Sequence, residues 1–240
     1  MEKTTLRKVQ SRLRALASQS RAGLLQRFFK TGPGEYAHGD IFLGIAVPDI
    51  RGLSREFGGL TLRCTQILLR SRFHEARLLA LLLLIERFEN SDIAGKRDVY
   101  QAYVTHMRFV NNWDLVDLSA PHIVGAYLAD KHLLRTQVLE RLARSSDLWE
   151  RRIAIVATLH YIRNNRFDDT FSLAQLLLAD PHDLIHKSTG WMLREIGKRD
   201  RSRLEGFLRS RYRAMPRTML RYAIERFPEQ KRKAYLRGSV

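Results

Sequence analysis

Apolar residues recur every three to four positions along nearly the whole chain, while clean alternation bounded by hairpin turns is scarce. That periodicity predicts an all-α protein, with helices at about 3–17, 20–30, 48–57, 61–71, 73–89, 95–108, 112–128, 131–144, 147–164, 167–179, 181–199, 201–213 and 216–226. The longest apolar run, Leu78 to Ile85, is closed off by Arg77 and Glu86, so it is too short to cross a bilayer and reads as a buried helix. Thr31-Gly-Pro-Gly34 is the one conspicuous loop, and Pro48 suits the first turn of the helix that follows. Helical spacing persists at both ends, in Leu6, Val9, Leu13 and Leu16 and again in Met219, Tyr222, Ala223 and Phe227, which argues against disordered tails.

Self-similarity favours a solenoid over a bundle. Glu75-Ala-Arg-Leu-Leu-Ala, Glu150-Arg-Arg-Ile-Ala-Ile and His186-Lys-Ser-Thr-Gly-Trp each open an apolar helix with a basic residue near its start. Aligning Arg77, Asp117, Arg152 and Lys187 gives steps of 40, 35 and 35 residues, the length of a two-helix repeat of the HEAT or armadillo kind. The expectation is a single domain over 1–240, an α-solenoid with a concave groove lined by equivalent positions of successive repeats and a basic helical segment at 1–31. In this register Asp117 is the odd member, an acid among bases.

Composition changes the picture through the placement of charge. The net charge is +17, of which residues 1–31 carry +7, residues 194–240 carry +10, and residues 32–193, with nineteen basic and nineteen acidic side chains, carry none. Basic ends around a neutral middle suit a polyanion held on either side of a working surface, although solubilising charge on amphipathic helices gives the same count. Cys64 is the only cysteine, which excludes an internal disulfide and a thiolate-rich metal site and fits a reducing cytoplasm. No export signal core follows Met1. His182 and His186 stand four apart without an evident third ligand, and no phosphate loop, nucleophile elbow or dinucleotide fingerprint is present, so no metal or cofactor is inferred.

The most distinctive chemistry lies in Val110-Asn-Asn-Trp-Asp-Leu-Val-Asp117. On a helix, Trp113 and Asp117 share a face one turn apart, with Asn111 or Asn112 as cap and Pro121 bounding or kinking the element. An aromatic platform beside a carboxylate suits a cation. A Trp at helical spacing is nonetheless more often core, the role assigned to Trp149. The spacings Trp113 to Arg152 and Arg152 to Trp191 are both 39, which points two indoles, a carboxylate and a guanidinium toward one groove.

With Phe42-Leu-Gly-Ile-Ala-Val-Pro48, Asn112-Trp-Asp-Leu-Val-Asp117, Trp149-Glu-Arg-Arg-Ile-Ala154 and Gly190-Trp-Met-Leu-Arg-Glu195 in order, the chain resembles the AlkD-like DNA alkylation repair family of HEAT-like-repeat DNA glycosylases. The resemblance covers most of the chain. It implies that Trp113, Asp117, Arg152 and Trp191 form a site that removes cationic N-alkylated purines such as 3-methyladenine and 7-methylguanine from duplex DNA, without drawing the base into a deep pocket. Asp117, Trp113 and Trp191 would be catalytic and Arg152 would hold a phosphate, in a monomer needing no cofactor, membrane or protein partner. Lys187 and Arg77, from the repeat register, with Arg194 and Tyr36, are further candidates for DNA contact. Ala46 has no side-chain donor or acceptor for a lesion. The alternatives are a non-catalytic HEAT-repeat scaffold that recognises damaged DNA and, third, a protein-interaction solenoid.

Overall fold

A computed structural model of the protein describes residues 2–240, with side chains from Thr4 onward. No strand occurs among the described residues, only an isolated bridge between Ile41 and Phe73. No described helix is long and apolar enough to cross a membrane. The chain divides into two compact units on either side of the Ser119–Ala120 junction, and this division falls inside a continuous helical run where the pattern of residues sets no boundary.

The first unit contains α1 (Glu2–Ala15), α2 (Gln19–Phe28), α3 (Val47–Glu56), α4 (Leu62–Leu69), α5 (His74–Glu89), α6 (Ile93–Thr105) and the body of α7 (Trp113–Ala120). Side chains start these helices where the sequence offers them: Ser18 accepts from the Arg21 amide, Thr61 from Cys64 and Asp92 from Gly95. Helix α5 is the centre of this unit, since twelve of its residues are buried, three of them polar residues at its head.

Pro121 does not end the helix that begins at Trp113. Without an amide hydrogen it cannot donate to the carbonyl of Asp117 four residues earlier, and the chain passes through a five-residue π turn, Pro121–Gly125, into α8 (Ala126–Leu128). The second unit continues with α9 (His132–Ala143), α10 (Leu148–Ala157), α11 (Leu159–Arg163), α12 (Asp168–Leu176), α13 (Asp183–Arg199), α14 (Arg201–Arg209), α15 (Arg217–Ala223) and α16 (Glu229–Arg237). Helices here approach closely at glycine. A Cβ on Gly190 of α13 would lie 2.5 Å from the Met219 carbonyl of α15, and one on Gly125 would lie 2.3 Å from the Ala157 carbonyl.

A recurrent arginine staples three of the turns between helices. Arg77, Arg135 and Arg151 all donate through Nη1 to a carbonyl six residues upstream, of Ser71, Ala129 and Ser145, at 3.0, 2.6 and 3.0 Å. Each also pairs with an aspartate, Asp40, Asp169 and Asp180 respectively. His186 Nε2 reaches the Asp180 carbonyl, again six back. Arg77 therefore corresponds to Arg151, so the alignment of Arg77 with Arg152 and Lys187 is out by one residue. Sequence spacing missed this because consecutive arginines at 151 and 152 fit the pattern equally well.

The predicted helix over 147–164 is broken at Thr158, whose hydroxyl donates to the Ile155 carbonyl at 2.6 Å. Helix α16 was not expected. Its sequence is strongly polar and buries only Tyr235, so it has almost no apolar stripe; Pro228, directly before its first residue, was the available signal.

Candidate active site

The site is built around the start of α7. Asn112 is fully buried and caps it: its Oδ1 accepts from the Trp113 amide at 2.9 Å and its carbonyl from Val116 at 3.1 Å. Trp113 and Asp117 then follow on successive turns, both half-buried. The indole of Trp113 stacks on Phe29 and meets Phe28 edge-on, with centroids 5.1 and 6.1 Å apart. The Asp117 charge helps burial hold the Tyr103 hydroxyl protonated.

A row of ionic groups, Arg77, Asp40 and His74 buried and Asp114 half-buried, ties α7 to the rest of the unit. Asp40 Oδ1 accepts from Arg77 Nη2 at 2.6 Å and its Oδ2 faces His74 Nδ1 at 2.8 Å, while Asn112 Nδ2 donates to the same Oδ2 at 3.3 Å. On its far side, His74 Nε2 meets Asp114 Oδ2 at 2.8 Å. Burial works against charge on His74, but the hydrogen bonds and charges of Asp114 and Asp40 overcome it and raise the imidazole to about 9. Burial likewise favours a neutral Asp40, yet the hydrogen bond from His74 and the charge of Arg77 hold it below its usual value.

The Phe42–Pro48 stretch is folded around Glu75. This carboxylate, 2% exposed, accepts the amides of Leu43, Gly44 and Ile45 at 2.8, 2.7 and 3.2 Å. Gly44 adopts φ +79°, and a Cβ there would stand 2.1 Å from the Ser18 carbonyl, which explains a glycine in the motif. The turn delivers Ala46 and Val47 to a cleft of about 130 Å³ whose other walls include Phe29, Phe42, His74 and Asp114. Apolar surface is exposed beside it, with Phe28 65% and Leu24 59% accessible.

In the second unit, α13 presents Lys187, Trp191 and Arg194 on one face, while Ile185, Met192, Leu193 and Ile196 face the core. Trp191 Nε1 donates to Glu195 Oε1 at 3.0 Å and borders a cavity of about 200 Å³ with Arg163 and Arg199. Lys187 pairs with Asp183 at 2.7 Å, and Arg194 with Glu225. Arg152 is 5% exposed and donates to the Leu184 carbonyl at 2.7 Å, against the start of α13. Trp149 is 8% exposed, a core residue.

One of the expected DNA contacts fares differently from the rest. Arg77, 4% exposed and committed to Asp40 and Ser71, is a structural cation and not a phosphate ligand. Tyr36 is half-buried in the loop between α2 and α3. His182 and His186 serve locally: His182 Nδ1 accepts from the Leu184 amide, and His186 Nε2 meets the Asp180 carbonyl at 2.5 Å. Asp40, His74, Glu75 and Asp114 escaped sequence reasoning. The signal for two of them was His74-Glu75 and Arg77 at the head of the helix that carries the longest apolar run, where polar side chains survive burial only with partners.

Residues 9–227 match the model of the family described as DNA alkylation repair enzyme. The chain belongs to the DNA alkylation repair enzyme family. Family membership carries with it an enzymatic role and DNA as the partner. The fold agrees: a solved structure from Enterococcus faecalis, described as a predicted DNA alkylation repair enzyme, superposes with a TM-score of 0.70 at 15% identity, covering 89% of this chain and 97% of that one. No curated protein matches the chain. In this DNA alkylation repair enzyme, Trp113 and Asp117 lie half-buried on successive turns of α7.

Proposed function

We propose that the protein is a monofunctional DNA glycosylase that hydrolyses the N-glycosidic bond of cationic N-alkylated purines, 3-methyladenine and 7-methylguanine, in duplex DNA. The observation that carries this reading is Asp117, a carboxylate one turn from the Trp113 indole in a DNA repair enzyme of net charge +17. Against a polyanion a carboxylate is repulsive, so its presence beside an aromatic face makes sense if positive charge develops there. An alkylated purine is already a good leaving group. The sugar it leaves becomes oxocarbenium-like, and a fixed anion stabilises that charge in the transition state.

Asp117 supplies the anion and orients or deprotonates the attacking water. Trp113 and Trp191 pack against the sugar and backbone, their ring faces favouring positive charge. On α13, Lys187 and Arg194 bind backbone phosphates, which position without reading sequence, and Arg152, buried against the Leu184 carbonyl, holds the start of that helix. Asp183 and Glu225 hold Lys187 and Arg194 until phosphates replace them.

The test is incubation with methylated duplex DNA and quantification of free 3-methyladenine and 7-methylguanine, with Asp117→Asn in parallel. Release by the wild type alone, at similar DNA affinity, is the expected result; equal activity in the variant removes the mechanism. If neither protein releases base while both bind DNA, a damage-recognition scaffold replaces the enzyme.

A further inference from the structure

The strongest group of titratable side chains outside the Trp113–Asp117 pair is the row Arg77, Asp40, His74 and Asp114, buried except for the half-buried Asp114. Its members come from three separate parts of the first unit: the loop before α3, the head of α5 and the second residue of α7. The row is electrically balanced, two carboxylates against two cations, when His74 is protonated. Both of its neighbours are carboxylates, which only accept, so the two 2.8 Å contacts are both satisfied only by an imidazolium, which donates at both nitrogens. A neutral ring would turn a lone pair toward one carboxylate. Phe42 stacks on the imidazole with centroids 4.2 Å apart, and an aromatic face also favours the cation.

The other charged groups around His74 are already engaged. Glu75, its neighbour on α5, is held by the amides of residues 43–45; Arg77 by Asp40 and Ser71; Arg21 of α2, on the same cleft, by the Gly44 carbonyl at 3.2 Å. What His74 fastens is therefore α7 itself. Asp114 is one residue from Trp113 and three from Asp117, and Asn112, the cap, is tied to the same Asp40.

We propose that His74 is a positioning residue: clamped as an imidazolium between Asp40 and Asp114, it fixes the rotation of α7 and so the direction in which Trp113 and Asp117 meet DNA. This rests on the reading that Asp117 drives base release. His74 acts through Asp114 and, by way of Asp40, through the cap. Loss of its proton turns a lone pair toward one of the two carboxylates, the tie between Asp40 and Asp114 is broken, and α7 turns on its remaining bonds.

The experiment uses the full chain, with His74→Gln and Asp114→Asn, and reads single-turnover release of 7-methylguanine from pH 6 to 10, DNA affinity, and the emission of Trp113 with Trp149 and Trp191 changed to Phe. Misplacement of a reacting group by about 1 Å costs roughly 10²-fold in rate, so His74→Gln is expected to slow release by that order while DNA affinity holds. Asp114→Asn removes one of the two anions that favour the imidazolium, and is expected to move the alkaline loss of rate down by about 1 pH unit or more. A role that is merely structural would not move that limb. Wild-type rate in His74→Gln, or coincident pH profiles for Asp114→Asn and wild type, overturns the clamp. If His74→Gln does not fold, the Asp114→Asn profile decides. If the wild type releases no base, the glycosylase reading falls, and the clamp stands or falls on Trp113 emission: an alkaline transition that shifts down in Asp114→Asn sustains it, and its absence ends it.

Discussion

Phe29 covers one face of the Trp113 indole, with the two rings 19° from parallel and their centroids 5.1 Å apart. Phe28 takes its edge. The end of α2 thus fixes an indole that α7 alone would leave free to rotate, and whatever Trp113 offers to DNA lies on the remaining surface. Phe29→Leu nearly conserves volume and is expected to cost under about 1.5 kcal/mol, whereas Phe29→Ala costs about 3–5 kcal/mol. The informative variant is the leucine. It should fold, loosen the indole, change Trp113 emission and near-UV circular dichroism, and slow base release more than it weakens DNA binding; unchanged emission would mean that the stack does not hold the ring.

The buried row sets a pH dependence of stability. His74 is raised from 6.5 to about 9 on folding, so its contribution is complete below pH 6.5, declines as pH climbs from there, and is lost as pH rises through about 9. Asp40 is lowered, so its contribution is present above its unfolded value of 3.8 and is lost as pH falls through its folded value. Thermal melts from pH 5 to 10 are expected to show a falling melting temperature on the alkaline side, and His74→Gln should flatten that fall. A wild-type curve level from 6.5 to 9.5 would contradict the assignment.

Gly44→Ala tests the turn that delivers Ala46 and Val47. The position combines φ +79° with a Cβ 2.1 Å from a backbone carbonyl, and a backbone oxygen cannot move aside as a side chain can. Left-handed strain alone costs about 1–2 kcal/mol, and the overlap adds to it, so a loss of at least about 2 kcal/mol in denaturant unfolding is expected. The same change at Gly23, where no atom lies within 4 Å, should be neutral or stabilising.

Two basic residues that the repeat register equated should behave oppositely. Lys187→Ala removes a half-exposed cation and is expected to weaken DNA binding across all sequences and to reduce the salt slope by about 1, with little effect on melting. Arg77→Ala strands the buried Asp40 and is expected to cost about 3–5 kcal/mol of stability while leaving the salt slope of the folded protein unchanged. Binding isotherms over a range of salt, beside melts of both variants, separate the roles.

The sequence alone determined the helical class, because burying one stripe of a helix demands a period near 3.6 and that period runs nearly end to end. It also singled out α7, since Asn112, Trp113 and Asp117 carry cap, platform and charge within six residues, and local spacing is all such an arrangement needs. The family was legible for the same reason, in short motifs read in order. Partners distant in sequence were beyond it: Asp40 meets Asn112 across 72 positions and His74 meets Asp114 across 40, and no local pattern states that two polar residues will be buried together. Helix α16 escaped for want of an apolar stripe, and Arg77 was taken for a surface base because sequence records its charge but not the carboxylate beneath it. Only the tertiary structure decided which charges are neutralised inside and which stay at the surface, since burial makes pairing obligatory and exposure does not.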